Sequence, residues 1–384
     1  MSLLKKTLCF SSLAFFCAVP VNAAVMGTEA KYAVVMDYET GTILLDKEGA
    51  MPVPPASMSK LMTIYILMEK MKHGVLSPDD EFTVSEKAWR KGGVKTGSST
   101  MFLKVGEKVK VKDLLKGIII QSGNDACIVV AENISGSERQ FAELMNAKAA
   151  ELGLTNSHFE NSTGWPSEGH KMSTKDIAIL SARIIKDFPE YYSIFAQTDF
   201  THNGIKQGNR NPLLYSMAGM ADGLKTGHTE GSGFALAASA KDDNGHRIIL
   251  VLNGLKSMKA RREESTRLMT WAMREFENTS LFAKDETVIE VPVFMGSSKT
   301  VKAVPTEDII ITNSKTGKRN LKVLLQYEKP ILAPVAKGTE IAKIIVTSPD
   351  FADKEFTLIA KDDVTELGWF GKLKERIKYL LGLQ

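Results

Sequence analysis

Ser57 and Lys60 are the pair of residues best suited to covalent chemistry in this 384-residue chain. Side chains three residues apart lie on one face of a helix, so the lysine amine can accept the serine proton without a histidine. Pro54 and Pro55 precede the pair and an unbroken apolar stretch, residues 61–68, follows it, so we expect a helix to begin here. Ser57 would then lie in the first turn, whose free N–H groups favour an oxyanion and, together with burial, lower the pKa of Lys60. Alone, the tetrapeptide also fits a capped helix with a solvated lysine.

A second polar motif, Ser122-Gly123-Asn124, follows the apolar residues 117–120 and precedes another helical run. We therefore expect it in a loop between two helices. The Ser122 hydroxyl suits a proton relay to a leaving amine, and the Asn124 carboxamide suits holding a substrate amide and orienting Lys60. The triplet alone is typical of an ordinary turn, so it gains weight only beside the first motif.

A Lys-Thr-Gly triplet occurs twice, at residues 95–97 and 225–227. The second copy opens a strand-like region that leads to Phe234, so we expect it on an edge strand, which can present its backbone to a peptide. The first copy lies among glycines and serines and is predicted to be a flexible loop at the rim of a cleft. Residues 225–227 are therefore the candidate third motif.

Each residue of this third motif has an expected role. Lys225 binds the terminal carboxylate of a substrate or stabilises charge, Thr226 hydrogen-bonds the same group, and Gly227 keeps the approach open. The backbone N–H of His228 joins that of Ser57 in an oxyanion hole. Three motifs in this order predict a serine acyl-transfer site.

The first 23 residues are typical of a secretory signal peptide. Lys5 and Lys6 precede an apolar run over residues 8–21, and Val21 and Ala23 supply small residues at the −3 and −1 positions of a cleavage site. An uncleaved anchor is the alternative, although the run is short for a membrane span. We expect export to the periplasmic side of the cytoplasmic membrane, where the mature chain is peripheral.

Net charge and cysteine content limit the classes of function and of stabilising bond that this chain can have. The formal charge of +4 falls by two, to +2, when Lys5 and Lys6 leave with the leader, which excludes a strongly basic nucleic-acid binder. Cys9 and Cys17 leave as well, so Cys127 has no partner for an internal disulfide. Because Cys127 precedes an Ile-Val-Val run, we expect a buried small hydrophobe rather than a second nucleophile.

The mature chain, about 360 residues, exceeds one ordinary core and predicts an α+β protein of two domains. Residues 24–277 mix helical and strand patterns. Hairpins are expected around the turns at 38–41 and 242–245, and capping boxes at Ser137 and Ser173 predict two helix starts. An antiparallel sheet packed among helices follows from this pattern.

Residues 278–365 change to short β-branched runs at regular spacing, which predicts a small all-β sandwich. The runs cover residues 288–294, 308–312, 321–327, 340–346 and 356–360. This region has no nucleophile and base pair, no metal-ligand spacing and no histidine. We expect it to position the enzyme or bind a partner, with a purely structural role as the alternative.

Residues 366–384 predict an amphipathic terminal helix. Trp369, Phe370, Leu373 and Ile377 collect on one face, and lysines and arginines are interleaved with them. The charges are too many for a bilayer span, whereas a basic face opposite aromatic residues suits an anionic membrane surface. A helix packed on the β domain is the alternative.

With the three motifs, the leader, the β domain and the terminal helix, the chain resembles the penicillin-recognising serine acyl-transferases. The likeness is closest to the low-molecular-mass penicillin-binding proteins, the type-5 D-alanyl-D-alanine carboxypeptidases of serine peptidase family S11. It implies a penicillin-binding/β-lactamase-like transpeptidase domain and removal of the terminal D-alanine from the peptidoglycan stem pentapeptide through an acyl-enzyme on Ser57. It also implies inhibition by β-lactams and no metal or cofactor. Arg210 would recognise the terminal carboxylate, with a structural salt bridge as the alternative.

Departures from related enzymes separate the remaining alternatives. A class A β-lactamase has Ser-Asp-Asn as its second motif and a deacylating Glu with an Asn four residues on. Here Gly123 replaces the Asp, and Glu160 and Glu168 lack that Asn, so we expect Glu160 and His170 to order a loop. Carboxypeptidase is therefore favoured over a β-lactamase, and the three intact motifs argue against a catalytically weak cell-wall-binding module. A DD-endopeptidase of the same superfamily stays as an alternative.

Overall fold

The computed structural model describes residues 26–328 and 330–381, so the predicted signal peptide lies outside the described residues. Strands and helices are mixed up to residue 275. The strands are β1 (Tyr32–Asp37), β2 (Ile43–Lys47), β3 (Glu81–Thr83), β4 (Lys108–Lys110), β5 (Asp199–His202), β6 (Ile205–Gly208), β7 (Ala221–Thr229), β8 (Gly233–Lys241) and β9 (Arg247–Leu255). The helices are α1 (Lys60–Lys72), α2 (Glu86–Gly92), α3 (Val111–Ile119), α4 (Asn124–Ser135), α5 (Glu138–Glu151), α6 (Thr174–Asp187), α7 (Pro189–Tyr192), α8 (Leu213–Ser216) and α9 (Met258–Glu275).

A five-stranded antiparallel sheet in the order β2-β1-β9-β8-β7 lies at the centre of this region. Successive strand residues point to opposite faces, and helices cover both. Val34 belongs to the core cluster that includes Leu61 of α1, whereas Val35 belongs to the cluster that includes Leu268 of α9. Both predicted hairpins, β1–β2 and β8–β9, are confirmed, and β7 lies at one edge of the sheet.

Helices α5 and α6 begin where their sequences predict, and α1 is buried in the core. Ser137 and Ser173 accept hydrogen bonds from the backbone N–H groups of Gln140 and Asp176, at 3.2 and 3.0 Å, so both predicted caps are confirmed. Helix α1 is buried from its first residue through Met68. A helix that is apolar all round belongs inside the core, and this burial fixes the position of its N-terminus.

The rest of the chain forms an all-β unit and a terminal helix. The strands are β10 (Phe276–Phe282), β11 (Ile289–Phe294), β12 (Thr300–Pro305), β13 (Ile309–Ser314), β14 (Lys322–Gln326), β15 (Ile331–Leu332), β16 (Glu340–Thr347) and β17 (Lys354–Ala360). A six-stranded sheet, β14-β16-β17-β12-β11-β15, faces the β10–β13 ribbon across a core that includes Ile311, Ile344 and Leu358.

Three of these strands were not among the predicted runs. β10 contains four polar residues in succession, β12 contains Lys302 and ends at Pro305, and β15 has two residues. Their local strand propensity is weak, and pairing with neighbouring strands determines their conformation.

The terminal helix, α10 (Trp369–Leu380), carries a row of exposed apolar side chains. Trp369 is 70% exposed, Phe370 is 81% exposed and Leu380 is 82% exposed. Its start is attached to the β domain, because the backbone N–H of Leu367 donates to the carbonyl of Met295. Within the described residues, no helix is both long enough and apolar enough to cross a membrane.

Candidate active site

Ser57 lies in a 3₁₀ turn, Ala56–Ser59, that precedes α1. The sequence predicted the first turn of the helix itself, but the α-helix begins at Lys60. The difference arises at Ala56, whose φ of +52° is left-handed and makes the chain enter the helix through a tighter turn. Such backbone strain in a non-glycine residue persists where the surrounding structure imposes it, often at functional sites.

Lys60 contacts Ser57 from the first position of α1. Its Nζ donates to Ser57 Oγ at 2.8 Å and to the carbonyl oxygen of Thr163 at 2.5 Å. The side chain is 0% exposed and forms no ion pair with a carboxylate among the described residues. Burial lowers the pKa of Lys60 to about 8, and the nearby Arg210 acts in the same direction. An amine with this pKa exchanges its proton readily near neutral pH.

The Thr163 carbonyl is held by a loop that the sequence did not identify as part of the site. Asn161 Oδ1 accepts hydrogen bonds from the backbone N–H groups of Thr163, Gly164 and Trp165, at 3.1, 2.8 and 3.2 Å. A Cβ on Gly164 would lie 2.0 Å from the carbonyl oxygen of Ala56, so only glycine permits this approach. The loop therefore packs directly against the turn that carries the serine.

The second motif joins α3 to α4, as predicted. Ser122 has a φ of +59° and lines the cleft, and Asn124 is the first residue of α4. The Asn124 amide donates to Ser98 Oγ at 3.0 Å, while its buried Oδ1 has no hydrogen-bond partner in the described part of the chain. No hydrogen bond joins Asn124 to Lys60 there; the Lys60 amine donates to the Thr163 carbonyl instead.

The third motif lies on the edge strand β7, and Gly227 faces the serine turn. A Cβ on Gly227 would lie 3.1 Å from the carbonyl oxygen of Pro55. Lys225 is 2% exposed, and its Nζ donates to the carbonyl of Thr226 at 3.1 Å. Burial lowers the pKa of Lys225 well below its usual value, and the positive charges of Lys60 and Arg210 lower it further.

One cleft of about 520 Å³ is lined by members of all three motifs, whereas the buried side chains of Lys60 and Lys225 lie behind its described lining. Its lining residues include Ser57, Gly97, Ser98, Ser99, Ser122, Asn124, Gly164, Trp165, Arg210, Thr226, Gly227, His228, Phe234, Met258 and Arg261. The first Lys-Thr-Gly copy contributes Gly97 to the rim, and Lys95 lies 5.2 Å over the ring of Trp89. Among the described residues, neither aspartate nor glutamate lines this cleft.

Arg210 and Arg261 bring further positive charge to the cleft. Arg210 donates to Ser99 Oγ at 2.6 Å, and Arg261 donates to the backbone carbonyl of Arg210 at 3.3 Å. Neither forms an ion pair with a carboxylate in the described ranges, so the alternative of a structural salt bridge at Arg210 has no partner there. Burial lowers the pKa of Arg261 to about 10, and Arg210 adds to this effect. The sequence did not single out Arg261, since this residue of the first turn of α9 is one of two adjacent arginines in a charged stretch and belongs to no recognisable motif.

Glu160, His170 and Cys127 have structural rather than catalytic surroundings. The backbone N–H of Glu160 donates to His170 Nδ1 at 3.1 Å, and Ser167 donates to the Glu160 carboxylate, so both residues order the same loop. Cys127 is 0% exposed, and burial raises the pKa of its thiol to about 12. Among the described residues, no group of His, Cys, Asp and Glu side chains is arranged to hold a metal ion.

The site contains a serine that is hydrogen-bonded to a buried lysine, and it lies beside an edge strand and a cationic cleft. These features define a serine acyl-transferase of the penicillin-recognising class. Residues 20–256 match the family model of peptidase S11, D-alanyl-D-alanine carboxypeptidase, and residues 276–366 match the C-terminal domain of penicillin-binding protein 5. The chain belongs to this D-alanyl-D-alanine carboxypeptidase family. The family, the enzyme class and the α+β fold predicted from the sequence are thereby confirmed.

Individual relatives cover nearly the whole chain. The chain is 37% identical over 366 residues to the D-alanyl-D-alanine carboxypeptidase DacC of Escherichia coli strain K12, which covers 95% of this chain and 91% of that protein. It is 38% identical over 349 residues to the D-alanyl-D-alanine carboxypeptidase DacA of Haemophilus influenzae, and the match covers 90% of this chain and 87% of that protein. The crystal structure of penicillin-binding protein 5 from Haemophilus influenzae matches with a TM-score of 0.83 and 37% identity, over 89% of this chain and 99% of that one.

Proposed function

We propose that this chain is a serine D-alanyl-D-alanine carboxypeptidase in which Ser57 forms the acyl-enzyme and Lys60 is its base. The hydrogen bond of 2.8 Å between Lys60 Nζ and Ser57 Oγ carries this proposal. Because Lys60 is fully buried and has no carboxylate partner in the part of the chain that the structure describes, its ammonium form is unfavourable and the neutral amine is accessible.

Acylation begins with neutral Lys60, which takes the Ser57 hydroxyl proton as Oγ attacks the carbonyl carbon of the penultimate D-alanine. The backbone N–H groups of Ser57 and His228 stabilise the oxyanion. As the C–N bond breaks, Ser122 donates its hydroxyl proton to the leaving nitrogen and takes a replacement from the Lys60 ammonium, so D-alanine departs with its amine and Lys60 is neutral again. Water then attacks the ester, Lys60 takes the water proton, and the same proton returns to Ser57 Oγ as the ester bond breaks. Asn124, whose buried Oδ1 has no hydrogen-bond partner among the described residues, holds the amide N–H of the substrate.

The positive charges account for the preference for a C-terminal residue. Lys225, Thr226 and Arg210 bind the terminal carboxylate, and Arg261 contributes a second guanidinium to the same region. Buried cations without internal counter-ions favour an anionic ligand, because the ligand supplies the charge partner that the protein withholds. A β-lactam with its own carboxylate and strained amide fits the same site. The absence of Asp and Glu from the described lining favours this activity over rapid β-lactam hydrolysis.

We also propose the predicted organisation: leader 1–23, catalytic domain 24–277, β domain 278–365 and membrane-associated helix 366–384. The leader delivers the enzyme to the periplasmic side, and α10 attaches it to an anionic membrane surface. Exposed Trp369 and Phe370 support this attachment, since aromatic residues beside cationic ones suit the interface between lipid headgroups and acyl chains.

Mass spectrometry after incubation with benzylpenicillin tests the nucleophile. We expect one penicilloyl adduct on the peptide that contains Ser57, lost in Ser57→Ala and retained in Ser59→Ala, whose serine is buried in the same turn outside the cleft. An adduct elsewhere, or on Ser57→Ala, contradicts the role of Ser57. Release of D-alanine from a pentapeptide, compared with cleavage of a cross-linked dimer, separates carboxypeptidase from endopeptidase.

Vesicle sedimentation tests the terminal helix. Wild-type protein should bind anionic vesicles, and deletion of residues 366–384 should leave a soluble, active enzyme. Leu324→Ser on β14 is a matched control, since Leu324 is 57% exposed but lies outside α10. Undiminished vesicle binding by the deletion variant would refute the attachment.

A further inference from the structure

Asp125 directly follows the second motif and is a fully buried carboxylate, 0% exposed, that forms no ion pair among the described residues. Its oxygens instead accept four hydrogen bonds. Oδ2 accepts from Thr100 Oγ1 at 2.6 Å and from the N–H of Leu103 at 3.1 Å. Oδ1 accepts from the N–H groups of Met101 and Ala126 at 2.8 and 2.9 Å. Three of these four donors belong to one segment, residues 98–103, which we call the cleft wall.

The cleft wall carries polar residues that line the cleft, Ser98 and Ser99. Asn124 donates from its backbone N–H to the Ser99 carbonyl at 2.9 Å and from its side chain to Ser98. Arg210 donates to Ser99 Oγ at 2.6 Å. A Cβ on Gly123 would lie 3.0 Å from Asp125 Oδ1, so the glycine of the motif leaves room for the carboxylate beside the wall. Asp125 thus connects the helix that carries Asn124 to the wall that holds Arg210.

We propose that Asp125 is a positioning residue of the acyl-transfer site, whose carboxylate fixes the cleft wall and thereby the guanidinium of Arg210. Asp125 is 0% exposed, so it would act on the substrate through the cleft wall and not by direct contact. The inference rests on the proposed roles of Ser57, Lys60 and Arg210, since it concerns how the same site is held in place.

The charge of Asp125 gives this role a measurable signature that packing alone would not. The titratable groups that face Lys60 are Cys127 and Asp125 from α4, Arg210, Lys225 from β7, and His170 from the loop beyond Thr163. Because burial raises the pKa of the Cys127 thiol to about 12, the thiol is neutral where Lys60 titrates. Asp125 is then the anion that favours the Lys60 ammonium. Removing its charge should move the titration of Lys60 to lower pH.

Stopped-flow acylation of the full mature chain by a fluorescent penicillin, recorded against pH, measures two quantities. The dissociation constant of the initial complex reports the placement of Arg210, and the acidic limb of the pH profile reports the titration of Lys60. Asp125→Asn keeps the shape of the side chain but places an NH₂ group, itself a donor, against two of the four donors. We expect the dissociation constant of the initial complex to rise about ten-fold, the loss expected when a charged hydrogen bond is misaligned. The acidic limb of the acylation rate should move down by about half a pH unit, since one charge in the protein interior acts on this scale.

Two matched variants separate positioning from general destabilisation. Asp176 is also a buried carboxylate, 2% exposed, that accepts hydrogen bonds from Asn156 and Ser157 outside the cleft, so Asp176→Asn should change neither quantity. Thr100→Val removes one bond to Asp125 but no charge, so it should weaken the initial complex and leave the limb unmoved. It also keeps the inference testable if Asp125→Asn does not fold.

The outcomes are distinguishable. An unmoved limb in Asp125→Asn, an equal shift in Asp176→Asn, or an unchanged initial complex in Thr100→Val would each overturn the positioning role while leaving the proposed function intact. A wild-type chain that penicillin does not acylate at Ser57 would overturn the proposed function and this inference together.

Discussion

Replacing Lys60 with methionine should stabilise the folded protein while abolishing acylation. Burial lowers the pKa of this lysine from 10.5 to about 8, and a depression of that size corresponds to about 3 kcal/mol of unfavourable free energy in the folded state. Methionine fills similar space without the charge. The variant leaves the Thr163 carbonyl without its donor, a loss of about 1–2 kcal/mol. The net expectation is a gain of about 1–2 kcal/mol at neutral pH.

The gain should depend on pH in one direction. Between pH 8 and 10.5 the unfolded wild-type lysine holds a proton that the folded one has released, so wild-type stability rises through this interval. The advantage of Lys60→Met is therefore full below about pH 8 and shrinks towards pH 10.5. For a domain of this size the gain at pH 7 corresponds to a rise in Tm of about 3–6 °C.

Thermal unfolding by circular dichroism at pH 7 and pH 10 measures the effect, and mass spectrometry checks that no penicilloyl adduct forms. Lys148→Met is the matched control. Lys148 is also buried, 9% exposed, but pairs with Glu69 at 2.7 Å and Glu151 at 2.5 Å, so its loss should destabilise the protein. If Lys60→Met melts below wild type at pH 7, or keeps the same advantage at pH 10, the reasoning about the uncompensated lysine is wrong.

Three other perturbations test the serine turn, the base and the cation cluster. Gly164→Ala should yield little folded protein that penicillin can acylate, because the added Cβ would lie 2.0 Å from the Ala56 carbonyl oxygen. Normal yield and normal acylation would contradict this close contact. The acylation rate constant should fall about ten-fold per pH unit below pH 8 as Lys60 becomes protonated, and a flat profile would exclude it as the base. Arg261→Met should raise KM for a D-Ala-D-Ala peptide about ten-fold with a smaller change in kcat. The peptide amide is its control, since an amide has no carboxylate to lose and its KM should not change.

The sequence predicts those parts of the site that are local in the chain. Ser57 and Lys60 are three residues apart, and their contact follows from that spacing across the 3₁₀ turn and the first residue of α1. Alternation of apolar and small residues likewise predicts the β8–β9 hairpin that supports the third motif. Such features depend on spacing and turn composition, which a single sequence contains.

The parts that the sequence did not predict are contacts between distant segments. The Thr163 carbonyl that binds Lys60 lies 103 residues further along the chain, and a backbone carbonyl has no signature in residue type. Arg261 and Asp125 are ordinary charged residues until folding buries them beside the cleft. The left-handed φ of Ala56 is also invisible, because turns of this kind are usually marked by glycine or asparagine. Long-range packing and strain therefore limit the prediction of this site.

The chemistry of the site depends on where its carboxylates are kept. A carboxylate beside Lys60 or Lys225 would hold the lysine charged and would occupy the place of the substrate's own carboxylate. Asp125 is close enough to influence Lys60, yet its oxygens are engaged by four N–H and O–H donors rather than by a cation. The fold thus uses this acid to organise the cleft wall without neutralising the cleft. One arrangement accounts for both the neutral base and the affinity for an anionic C-terminus, at a cost in stability that Lys60→Met should reveal.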